Sequence, residues 1–171
     1  MGLSVLGIFH TVIGVVAIVS ALISFVRFGK VNLNHITGKL YFYFTIITSV
    51  TALGISKHGG FNAGHVLSLV ILILISIAFY LHSKKEGNNK ARYFENFLMS
   101  FSFLLSMLPT VNETLTRVPV GHPLAKDIND PLIGKTLLVI FILFIVGSVY
   151  QIVKQIKINK SETESLHLDE L

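Results

Sequence analysis

Apolar residues fill five long runs of this chain, and polar residues are confined to the stretches between them and to a few positions within them. A helix needs about 20 consecutive apolar residues to cross the hydrocarbon layer of a bilayer. The runs Leu3 to Val26, Leu40 to Ile55, Ala63 to Leu81, Tyr93 to Val111 and Leu132 to Val153 reach or approach that length, the second being the shortest. The pattern predicts an all-α membrane protein, with a transmembrane domain over residues 1–153 and a polar tail over residues 154–171.

Helices associate in lipid through small and polar residues that permit close approach and hydrogen bonding. Gly7, His10, Gly14, Ala17, Ala21 and Ser24 recur at i+3 and i+4 spacing in the first run, so they share one helical face. Gly38, Tyr41, Thr45, Thr48 and Ala52 repeat the device in the second run, His65, Ser68, Ser76 and Ser83 in the third, and Asn96, Ser100, Ser106 and Thr110 in the fourth. The fifth run is unbroken from Leu137 to Val146 and is expected to meet lipid on most sides, touching the rest through Thr136, Gly147 and Gln151. The predicted architecture is a four-helix transmembrane bundle plus a peripheral fifth transmembrane helix. Pro109 is expected to kink or loosen the end of the fourth helix.

Composition agrees with the pattern. The chain is 52% hydrophobic and 13% charged, against roughly 25% charged residues in soluble domains. Cysteine is absent, which excludes thiolate ligands and thiol catalysis and leaves any metal chemistry to histidine and carboxylates. The first run has no basic residue before it and continues to Arg27, so it reads as a retained helix rather than a signal peptide. Leu168-Asp169-Glu170-Leu171 resembles a lumenal retention signal, but it falls on the side read below as cytoplasmic and is taken as a polar end.

Basic residues near membrane ends mark the cytoplasmic side. Arg27, Lys30, Lys39, Lys84, Lys85, Lys90, Arg92, Lys154, Lys157 and Lys160 fall on one side, and only Lys57, Arg117, Lys126 and Lys135 on the other. Tyr41, Tyr43, Tyr80, Tyr93 and Tyr150 lie toward the same end as the basic majority, where an amphipathic ring suits the headgroup level. This distribution predicts an outer N-terminus and a cytoplasmic tail. The net charge of +5 then follows from topology and attraction to anionic lipid, with the bilayer as partner and no call for nucleic acid.

Seven histidines are the main candidates for chemistry, because intramembrane ionisable groups are costly and usually face the bundle interior or a cavity. At about 1.5 Å per residue, His10 and His65 lie roughly 10 Å and 5 Å below the outer helix ends. Two inward histidines on different helices could hold a b-type haem axially. A divalent metal held by His10, His58, His65 and His122 is a second reading. In a third, the histidines only hydrogen-bond neighbours and lock the helices together. The long connection from Asn112 to Asp130, with Pro119, Gly121 and Pro123, reads as an ordered cover at the outer end. Glu95 has Arg92 as its nearest helical partner. No HExxH or GxSxG motif, no carboxylate pair within a run and no inverted repeat is present, so the reading is a multi-pass membrane protein binding a haem, metal or small ligand, or alternatively a non-enzymatic assembly or permease subunit.

Phe9-His10 followed by Gly14, then Asn34-His35-Ile36-Thr37-Gly38-Lys39-Leu40-Tyr41, then Gly59-Gly60-Phe61, resembles the bacterial membrane-protein family called domain of unknown function 2306. The resemblance covers the first four runs and rests on His10, His35, Gly38, Lys39, Tyr41, Gly59 and Gly60. Where that family has a His-Arg-Trp-Met stretch, this chain has Lys90-Ala91-Arg92-Tyr93-Phe94. It implies a multi-pass protein of the bacterial cytoplasmic membrane without implying an activity. His35, Lys39 and Tyr41 would then sit at the cytoplasmic mouth, suited to a lipid phosphate, a quinone headgroup or another anion, or to tying the first loop to its helix.

Overall fold

Five helices follow one another: α1 (Val5–Phe28), α2 (Ile36–Leu53), α3 (Ala63–Lys84), α4 (Asn89–Arg117) and α5 (Pro131–Asp169). This is a computed structural model that describes residues 4–55, 60–84 and 88–169, with side chains as far as Ser161. All five helices are long and apolar enough to cross a membrane, and the described residues contain no strand.

Local chemistry sets the helix ends. Ser4 caps α1 by accepting from the Gly7 N–H, and α1 stops at Gly29, whose φ of 75° is the left-handed conformation that glycine adopts without strain. The turn into α2 is held by Ser24, whose hydroxyl donates to the Lys30 carbonyl and accepts from the Asn32 N–H. That turn folds Val31 and Leu33 into the core, which lets α2 begin earlier than the apolar run suggests. Gly38 permits this close return, since a Cβ there would stand 2.0 Å from the Asn32 carbonyl oxygen.

Each helix packs along its chain neighbour, α1 on α2, α2 on α3, α3 on α4 and α4 on α5. The core joins Ala17 and Ala21 of α1, Tyr41 and Phe42 of α2, Ile75 and Ala78 of α3, and Met99 of α4. The bundle closes because the Tyr41 hydroxyl bonds Ser102 at 2.7 Å and Phe25 meets Phe103 edge-on at 5.3 Å. On α3 the buried stripe continues from His65 and Ser68 through Ile71, Ile75 and Ala78. Ser76 and Ser83, expected on that face, are exposed.

α5 is peripheral: 6% of its most apolar window is buried, against 44% for α4. It meets α4 through Phe144 against Phe97 and Phe101, then through Gln151 and Gln155, which are buried. Gln155 is a contact that the expected set of Thr136, Gly147 and Gln151 omits. The helix continues past Val153 to Asp169.

α4 runs through Pro109 to Arg117, so Asn112 and Glu113 are helical rather than part of the following connection. The Ser106 and Thr110 hydroxyls around the proline donate to the Ser102 and Ser106 carbonyls. The shorter connection is anchored where Ala125 buries completely against Val111 and Ile133 and donates its N–H to the Leu115 carbonyl at 2.9 Å.

Candidate functional site

His10 lies within two turns of the start of α1, facing α2. Its Nδ1 is 3.1 Å from the Thr48 carbonyl oxygen and 3.1 Å from Thr51 Oγ1. A carbonyl only accepts, and the Thr51 hydroxyl donates elsewhere, to the Ile47 and Thr48 carbonyls. The ring therefore carries its proton on Nδ1 and keeps a lone pair on Nε2. Glu113, on the last turns of α4, is within electrostatic reach of this ring and pairs with Arg117 one turn on.

His65 has the opposite arrangement. Asn62 Oδ1 accepts from the Gly64 and His65 N–H groups, while the Asn62 N–H donates to His65 Nδ1 at 3.1 Å. This is a reciprocal capping box at the start of α3, with histidine in the place usually held by Glu or Gln. Because Nδ1 accepts, a neutral ring carries its proton on Nε2, and that atom is buried without a partner. His65 Nε2 thus has no lone pair to offer a haem iron or a metal ion. The His10–His65 axial pair finds no support in these bonds, although His10 alone has the Nδ1–H to carbonyl contact that orients a ligating imidazole.

Of the two other predicted metal ligands, His122 is among the described residues and does not join them. His122 is exposed in the connection before α5, its N–H on the Pro119 carbonyl, and His58, with Gly59, lies outside the described residues. Among the described residues no three His, Asp or Glu side chains form a group that could hold a metal ion. What this end does hold, besides His10 and His65, is two further buried polar atoms without hydrogen-bond partners, Thr48 Oγ1 of α2 and Asn112 Oδ1 of α4. Each of the four helices α1 to α4 therefore brings polar chemistry within two turns of the same end. A shallow cavity of about 450 Å³, lined by Leu53, Gly60, Phe61, His65 and Leu69, opens beside it.

At the opposite end His35, Lys39 and Tyr41 are directed apart. The His35 ring stacks on Phe28 at 4.3 Å, Lys39 is exposed, and Tyr41 is buried with its hydroxyl on Ser102. The polar cluster at that end is one the sequence reading did not assemble. His82 Nδ1 bonds Glu95 Oε1 at 3.0 Å, joining α3 to α4 around a buried carboxylate. Lys30 is drawn in above it: burial pushes its ammonium below the ordinary value, Glu95 opposes that shift, and Arg92 and Lys154 reinforce it. Lys154 Nζ donates to the Phe28 carbonyl at 2.8 Å, a cation on the negative end of α1. The clue available in sequence was that His82 and Glu95 are each one or two turns from the connection between α3 and α4, so an antiparallel hairpin brings them level.

Fold and site together define a helical-bundle membrane protein with one polar constellation at each end. Compared with protein-family models, curated proteins and solved structures, the chain gives no match.

Proposed function

We propose that this chain is a multi-pass membrane protein that binds a small molecule at the His10 end of the bundle, with His10 Nε2 accepting a hydrogen bond from it. The observation that carries this reading is the fixed His10 ring, held by Thr48 and Thr51 so that its lone pair is on Nε2. The partnerless atoms of Thr48 and Asn112 support it, because buried polar groups in native proteins are nearly always satisfied by protein, water or ligand. Glu113 favours a ligand that donates hydrogen bonds or carries positive charge. Native mass spectrometry, an absorbance spectrum and metal analysis of purified protein test it: a bound mass retained by the wild type and lost in a folded His10→Ala protein is expected.

The alternative is a non-enzymatic assembly or permease component whose polar residues only hold helices together. The bonds from His10 to α2, from Tyr41 to Ser102 and from Gln151 to Ser100 favour it. On that reading His10→Ala loosens the bundle and no bound molecule is lost. Membership in the 2306 family, a bacterial cytoplasmic-membrane location and an outer His10 end belong to the same proposal, supported by the His10, His35 and Gly38 motifs and by the clustered basic residues.

A further inference from the structure

A cleft of about 230 Å³ separates α4 from α5 near the Arg27 end and takes no part in the site above. Phe94, Phe97 and Ile152 line it together with Asn96, Ser148 and Gln151. Phe94, Phe97 and Ile152 are also exposed on the lipid-facing surface, so the cleft is open to a molecule arriving sideways from the bilayer.

Its polar content is directional. Asn159 Nδ2 donates to the Tyr93 hydroxyl, Gln155 Nε2 donates to Asn159 Oδ1, and Asn96 Nδ2 donates to Gln155 Oε1. This relay of amides ends at Asn96, whose Oδ1 is buried with nothing donating to it, and Ser148 Oγ across the cleft is likewise buried and unpartnered. Asn96 as a whole is only 4% exposed. The cleft has room for a ring, since roughly 150 Å³ already takes benzene.

We propose that this cleft binds a membrane-soluble aromatic alcohol of the phenol or hydroquinone class, its hydroxyl donating to Asn96 Oδ1 and its ring lying against Phe94, Phe97 and Ile152. The aromatic walls favour a ring in offset or edge-on contact, and the amide acceptor fixes which end points inward.

Calorimetric titration of the full chain in lipid nanodiscs with decyl hydroquinone, and with its dimethyl ether, tests this. Saturable binding at one molecule per chain is expected, with the ether at least about tenfold weaker because it has no proton to donate. Asn96→Leu, with helicity checked by circular dichroism, is expected to erase that preference. Should Asn96→Leu not fold, Ile152→Trp fills the cleft from an exposed position and is expected to abolish binding of both compounds. Non-saturable uptake, equal affinity for both compounds, or unchanged affinity in Ile152→Trp would overturn the proposal.

Discussion

His10 and His65 are chemically similar residues at similar depth, yet the hydrogen bonds around each ring give them opposite protonation patterns. At His10 the Nδ1–H donates to the Thr48 carbonyl, and at His65 the Asn62 N–H donates to Nδ1. Asn62→Ala is therefore expected to destabilise α3 by about 1 kcal/mol, the usual loss for an N-cap. His65→Gln retains most of the cap, because Gln serves at the same position of a capping box. Unfolding titrations in detergent that found His65→Gln as damaging as His65→Ala would contradict the capping role. Asp130 acts similarly at the start of α5. Its carboxylate accepts from the Leu132 and Lys126 N–H groups, and these bonds hold it below the ordinary value of 3.8. A depressed carboxylate stabilises the fold above its unfolded value, and the contribution is lost as pH falls through the folded one. Asp130→Asn is expected to keep the neutral-pH cap and to lose that part of the acid dependence, which melting curves between neutral and strongly acidic pH will reveal.

At the scale of elements, the apolar runs locate all five helices because the bilayer demands length and hydropathy, and both are written directly in sequence. Their ends were less legible. α2 begins before its apolar run because Ser24 and Gly38 allow a tight return from α1, a tertiary effect with no local signature. α4 passes Pro109 because Met107 before it and Val111 after it are both buried, so packing holds the turn that lacks one N–H. Gly38→Ala places a Cβ against backbone that has no flexible end to move, so a loss of at least roughly 1–3 kcal/mol is expected, the range for overpacked cores. Steric trapping or detergent unfolding will measure it, and an unchanged midpoint would contradict the close approach of the turn to α2. The His82–Glu95 bond ties α3 to α4, and the sequence reading missed it because helical spacing offered Arg92 as a nearer partner for Glu95. Removing the partner of a buried carboxyl group leaves that group unsatisfied, which costs more than the bond itself contributes. His82→Ala is accordingly expected to lower stability more than His82→Ala combined with Glu95→Gln, and the reverse order in a double-mutant cycle would exclude the pair as a structural tie.

Across the whole molecule, His10 and His65 gather at one end of an apolar bundle and His82 and Glu95 at the other, with neutral bonds such as Tyr41–Ser102 and Gln151–Ser100 between them. One end holds the bonded Glu95 and His82, with Lys30, Arg92 and Lys154 nearby. The other brings His10, Thr48, His65 and Asn112 inward from four different helices. The sequence singled out His10 and His65 because ionisable residues stand out in an apolar run, but their ring protonation depends on Thr48 and Asn62, contacts that no spacing reveals. The peripheral α5 completes the architecture, leaving most of its apolar length to lipid. We propose that the fixed ring of His10 holds a small molecule. Native mass spectrometry of the purified chain and of its His10→Ala variant, both released from the same lipid nanodiscs, tests it most directly. A discrete added mass is expected on the wild type and missing from a variant of unchanged helicity; an adduct on both proteins, or on neither, would overturn the role of His10.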